Sequence, residues 1–332
     1  IEEKGQIKLV PSSYIEAGDL FIESGHVHIQ GQIEATAEGD FGAKVQIQGK
    51  EIELKSADIH VSGKEAGTVL IGGDFQGNAR LPWATDVLMD RDSKIQMSSS
   101  ATGEGGLVVL WSKESTSFHG NIMAEGGLVE TSSKGNLNID GAKVSTRSIT
   151  GPMGQWLLDP DYTTIAEGDF GSPCLCDNTQ PTCVLNVNSI NQADSNVTVA
   201  STISTTVLSE INMENGVDLS FISCGSSPTT VFLTQNITTG GGHLDFSGTV
   251  QQIGDGRGGT FNITLDTSAG SGGDITLPKV ISSSSNLSVT LTLNAGSNGH
   301  VDVHSPAVGS EGSSDFLVAM ACPPSPIFSR QL

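Results

Sequence analysis

Three sets of residues have types and spacings that could do chemistry. His300, Asp302 and His304 alternate with Val301 and Val303. On a strand, residues i, i+2 and i+4 share a face, so these side chains would stand together as imidazole, carboxylate and imidazole, a set suited to a transition metal. His26 and His28 form a smaller pair of the same kind. No acidic cluster or fourth ligand accompanies either set, so both read as solvated strand faces, and no metal or other cofactor is expected. The second set lies in CLCDNTQPTC: Cys174, Cys176 and Cys183, with Cys224, are the candidates for a disulfide that staples a loop. A metal knuckle there would want His at ligand spacing, and none is near. Third, GDGRGG at 254–259 satisfies G-x-G-x-x-G, and DFG occurs at 40–42 and 169–171. The dinucleotide fingerprint must aim a helix N-terminus at pyrophosphate, yet TFNITLDT follows, which is a strand. The DFG triplets lack the other kinase signatures. Both motifs read as turns.

The elements that would carry these residues are short strands. Apolar pairs recur at Leu20/Ile22, Val27/Ile29, Val45/Ile47, Ile52/Leu54, Ile59/Val61 and Val69/Ile71. Three of them begin seven residues apart, at 45, 52 and 59, and the equivalents at 20, 45 and 69 lie 25 and 24 apart. That is a coil of three short strands followed by the next coil. A strand of four or five residues with one apolar face is not stable alone, but stacked coils bury the inward residues in one continuous core. The polar residues between them, Gln46, Gln48, Glu51, Glu53 and Lys55, are expected on the outer, solvated face. Glu38, Glu65, Glu104 and Glu125 each mark an acidic-Gly turn before an apolar strand. The fold class predicted is all-β, a right-handed parallel β-helix of about 14 coils at roughly 20–25 residues each.

Composition agrees. The chain has 332 residues, 41 of them Gly, with only 5% aromatic and 16% charged residues. The net charge of −21 has the wrong sign for nucleic acid, whose binding needs clustered Lys and Arg. No apolar run is long enough to span a membrane. The opening IEEKGQIKLV has neither an initiating Met nor a leader-like pattern, and reads as internal to a longer chain. Thirteen of the 16 Lys and Arg lie before residue 151. The predicted organisation is a first β-helical segment over 1–150, an irregular junction with the Cys-containing loop over 151–185, a Thr/Ser-rich β-helical segment over 186–320, and a tail over 321–332. The best candidates for a binding loop are 73–92, which holds Trp83, and 172–185.

A string of motifs from 67 to 165 carries a family resemblance. GTVLIGGDFQGN, GEGGLVVLWS, SFHGNIMAEGG, LVETSSKGNLNIDGAKV and GQWLLDPDYTTI occur in that order. The string resembles the filamentous haemagglutinin-like exoproteins of bacterial two-partner secretion, including the high-molecular-weight adhesins. The resemblance covers about a third of the chain. It implies a β-helical passenger exported through an outer-membrane transporter of the two-partner type and displayed or secreted at a bacterial surface. There it would meet a protein or glycan of a host or neighbouring cell. The family's amino-terminal secretion domain is not visible in these residues. Two other readings share the fold: a polysaccharide lyase or hydrolase, and the passive stalk of a contact-dependent toxin. A hydrolase needs two carboxylates placed across the sugar bond. A lyase would need a calcium-binding acid with a basic residue, and residues 151–332 offer only Arg257, Lys279 and Arg330. No acid/base pair can be nominated, so the expectation is a non-enzymatic segment.

Overall fold

The computed structural model describes residues 6–10, 13–37, 42–99, 105–160, 162–168, 183–214, 216–224, 227–254, 259–282, 287–304, 306–307, 316–321 and 328–331. The chain is an all-β parallel solenoid, and it divides into two compact units. The first comprises 1–160 with 170–183 and 193–196; the second comprises 161–169, 184–192 and 197–332. Among the described residues no helix is long and apolar enough to cross a membrane.

In the first unit the three pairs spaced by seven residues fall on three different ladders of one coil. The first ladder stacks Leu20–Glu23, Lys44–Gln48, Thr68–Ile71, the first half of Leu107–Phe118, Leu128–Ser133 and Gln155–Asp159. The second stacks Gln6–Lys8, His26–Ile29, Glu51–Leu54, Ala84–Met89, the second half of Leu107–Phe118 and Asn136–Asn138. The third stacks Ser13–Ala17, Gly31–Thr36, Asp58–Gly63, Lys94–Ser99, Asn121–Ala124 and Lys143–Ser145. Every pairing is parallel, so like residues pile on like. Ile15, Ile33, Ile59, Ile95, Ile122 and Val144 form one inward column. Val45, Val69, Val108, Val129 and Trp156 form another, and all five are fully buried.

In the described residues of the first unit the coils run longer than the sequence period suggests. Successive members of the isoleucine column lie 18, 26, 36, 27 and 22 residues apart. The ladders fix only the strands, and the corners between them tolerate insertions, so the period stretches wherever one is accommodated. The longest described departure is at 72–83, between the strands Thr68–Ile71 and Ala84–Met89. The binding loop expected over 73–92 therefore shrinks to this insertion, because a body strand follows it.

The acidic-Gly turns at Glu65 and Glu125 occupy the same corner, between the third ladder and the first. Glu38 and Glu104 lie outside the described residues. The glycines of this corner have a steric reason. A Cβ on Gly154 would sit 2.0 Å from the Gly127 carbonyl oxygen, and one on Gly67 would sit 2.2 Å from that of Ala43. Backbones of adjacent coils touch here, and only hydrogen fits between them.

The inside/outside assignment needs one correction. Ile47 and Val69 are fully buried, as expected, but Gln46 is 9% exposed and Gln48 3%. Both follow the outward positions of their strand, yet neither is solvated. Alternation in sequence reports which way a side chain leaves the sheet; it does not report whether that face is covered.

The second unit repeats the plan. Val197, Leu219, Leu244, Ile275 and Val301 form one inward column, and Ile211, Ile237, Leu265 and Leu293 another. A third ladder runs from Tyr162–Ala166 through Ser204–Val207, Thr229–Leu233 and Thr249–Ile253 to Val280–Ser282. Phe221 and Phe246 stack face to face in its core, with ring centroids 4.9 Å apart. The segment following GDGRGG is the strand Gly259–Asp266, which removes the helix a dinucleotide site would need. At the far end, Phe328–Gln331 runs antiparallel to Phe316–Ala321, so the expected tail contains a strand that covers a sheet edge.

Candidate functional site

His300, Asp302 and His304 flank or occupy the strand Val301–Val303 and are exposed. They do not converge. His304 Nε2 lies 3.3 Å from Asp302 Oδ2, whereas His300 turns to Asp274 of the neighbouring coil, at 3.5 Å. Among the described residues no group of three or more His, Cys, Asp or Glu is arranged to hold a metal ion. Cys224 is exposed just after the strand Leu219–Ser223. Cys183 begins the strand Cys183–Asn186, while Cys174 and Cys176 lie outside the described residues, as does most of the 172–185 loop.

His26 and His28 belong to a pattern. Parallel register places three histidines of the first unit, His26, His28 and His60, beside a carboxylate of an adjacent coil. His26 Nδ1 is 2.9 Å from Glu51 Oε2, His28 Nδ1 is 2.9 Å from Glu53 Oε2, and His60 Nδ1 is 2.9 Å from Glu34 Oε1. Lys55 also reaches Glu53, and this hydrogen bond, with that of His28, holds the Glu53 carboxyl below the usual range. Lys8, His26, His28, Glu51 and Glu53 line a shallow groove along this face. Such exposed pairs contribute at most about 1 kcal/mol each. They set the surface chemistry of the coil stack and do little for its stability.

The insertion at 72–83 builds a different environment. It lies against the outward row of the first ladder. Leu70, Val109 and Trp111 of that row are buried, and Phe75, Leu81 and Trp83 of the insertion pack on them. The indoles of Trp83 and Trp111 meet at 4.9 Å between centroids, tilted by 46°. The Lys134 ammonium stands 4.2 Å above the Trp83 ring, a cation–π geometry. A short 3-10 turn, Phe75–Gly77, turns the chain over this surface. The Asp74 carboxylate caps it by accepting the Phe75 N–H at 2.8 Å. Gly77 has φ of +60°, and a Cβ there would strike the Trp111 ring at 2.4 Å, so this position requires glycine.

Beneath the turn is Glu130. Its register partners are Val109 and Leu157, and it has no exposed surface. One carboxyl oxygen, Oε2, accepts the Gln76 N–H at 2.8 Å. The other, Oε1, has no hydrogen-bond partner, and neither has the buried hydroxyl of Ser132. Burial dominates, pushing the Glu130 carboxyl up to about 7. The Gln76 N–H opposes the rise, as does the Ser132 hydroxyl, which comes near the carboxyl without meeting full hydrogen-bond geometry, while the acids Asp159 and Asp74 add to it. This residue was not singled out by its sequence context, ETSS. The available signal is in its neighbours: TVLI, LVVLW and WLL carry consecutive apolar residues, the mark of strands covered on both faces.

Two features thus define the protein by class: a parallel β-solenoid with a repeating outer face, and one insertion strapped over a buried acid. No protein-family model and no curated protein matches the chain.

Proposed function

We propose that the chain is a non-enzymatic β-helical passenger segment of a bacterial exoprotein of the filamentous haemagglutinin-like type. In this reading it is exported through a two-partner outer-membrane transporter and supports adhesion at the cell surface. The observation that carries the reading is the placement of the motif string. Its apolar residues Val69, Val108, Val129 and Trp156 fall in one inward column of successive coils. The string is therefore a repeated structural unit, as a surface-building passenger requires, and the coils before it carry histidine–carboxylate pairs on their outer face. At −21 the chain should favour neutral or basic targets over anionic glycans and lipids, or bind the latter through bridging divalent cations.

Glu130 is the observation that favours the enzyme reading, because a carboxyl raised towards neutrality is what a general acid needs. The test addresses both. Purified protein is incubated with acidic and neutral polysaccharides, with and without calcium, while new reducing ends and unsaturated products are followed; retention on cells and immobilised host proteins is measured in parallel. The expected result is retention without turnover. Reproducible turnover that E130Q abolishes would replace the adhesin reading with the enzyme, and absence of both activities would favour the passive stalk.

A further inference from the structure

The insertion is held by a polar arrangement that is incomplete. Glu130 is fully buried with one unpartnered oxygen, and the Trp83 Nε1 donor is also buried without an acceptor. Gln76 takes φ of +54°, a conformation that a side chain other than glycine adopts only under constraint. Among the described residues, no cation contributes to the charge acting on Glu130. The insertion brings Asp74 and the strand Gln155–Asp159 brings Asp159, both acids. Leu107–Phe118 brings the apolar Val109 and Trp111, and the Lys134 ammonium stands over the Trp83 ring.

We infer that residues 72–83 form a pH-governed clasp that closes on Glu130 when its carboxyl is protonated and loosens when it ionises. In the closed form a neutral carboxyl suits the apolar column. The protonated carboxyl leaves no charge on the unpartnered Oε1, while Oε2 keeps the Gln76 N–H. When the proton leaves to water, an uncompensated carboxylate stays under the insertion beside two acids, and lifting the insertion lets water solvate it. The sign follows from burial. The closed form titrates near 7 and the open form near the ordinary 4.5, so the closed form binds more protons between those values. Closure is strongest below about 4.5 and weakens as pH rises through about 7. Between pH 5 and pH 8 the closed-to-open ratio should fall by about tenfold or more.

Amide hydrogen exchange of the whole chain at pH 5 and pH 8, corrected for intrinsic rates, reads this ratio. Protection across 75–78 should drop by that factor at pH 8, while the strand Asn121–Ala124 in the same sample stays within about twofold. In E130Q, which keeps the shape and lacks the ionisation, the insertion should be equally protected at both pH values. Undiminished protection in the wild type, an equal loss across Asn121–Ala124, or a pH-dependent loss retained by E130Q would each overturn the clasp. If E130Q fails to fold, the wild-type comparison of the two segments decides alone. Turnover and binding play no part in this readout, so it fails or succeeds separately from the adhesin reading.

Discussion

Ile47→Asp is expected to cost at least about 4 kcal/mol of folding free energy, or to abolish folding, because it places a carboxyl with no partner in a stacked core. Ile47 is fully buried between Ile22 and Ile71 of the adjacent coils. There is no cation in that column: its further members are Leu110, Thr131 and Leu158. Val69→Asp should behave alike. The appropriate control is Glu51→Gln, at a half-exposed outer position whose histidine pair is worth little, and it should change stability by less than about 1 kcal/mol. Gln46 is unsuitable as a control because its outward side chain is covered. Urea unfolding followed by circular dichroism separates the cases. Equal midpoints for Ile47→Asp and Glu51→Gln would contradict the inward assignment.

Trp156→Ala should be the most damaging of the large-to-small changes, at about 3–5 kcal/mol. Trp156 is fully buried, meets Phe118 edge to face with centroids 6.4 Å apart, and donates from Nε1 to Thr131 Oγ1 at 2.9 Å. Buried hydroxyls of the neighbouring strands are also bonded to one another. Ser112 and Thr116 are bonded to each other at 2.7 Å, and Thr116 donates to the Ser132 carbonyl at 2.8 Å. Trp156→Phe keeps much of the volume and loses the donor, so it should cost about 1–2 kcal/mol. A loss below about 1 kcal/mol for Trp156→Ala in the same urea assay would mean that the indole is not in the core.

How much of this was legible follows from what strand alternation encodes. The spacing at 45, 52 and 59 showed the three-sided coil because each side contributes only an inward pair, and the tight corners between them are of similar length. The register at 20, 45 and 69 was legible for the same reason, and the structure pairs these residues directly. It was lost after Ile71, because the insertion at 72–83 puts Leu110, the next residue in that column, 39 positions further on. The environment of Glu130 was not legible at all. Its burial depends on an insertion that is distant in sequence, since Gln76 and Glu130 are 54 residues apart. The same limit explains Gln46 and Gln48, which sequence alternation places outside and the folded chain covers. The histidine–carboxylate pairs were half legible: the outward direction of His26 and His28 was readable, but their partners come from a neighbouring coil through register.

The central claim, that the first unit is a stack of in-register parallel coils, is tested most directly by methyl NOEs in isoleucine-labelled protein. Ile15, Ile33, Ile59, Ile95 and Ile122 are separated by 18 to 36 residues in sequence, yet they are direct neighbours in one column. Ladder steps of about 4.8 Å place adjacent methyl groups within NOE range and second neighbours near 10 Å. The predicted result is an unbroken chain of strong contacts, 15 to 33, 33 to 59, 59 to 95 and 95 to 122, with skipped pairs weak or absent. Contacts that join Ile59 only to residues near it in sequence, or that link Ile33 directly to Ile95, would contradict the stack.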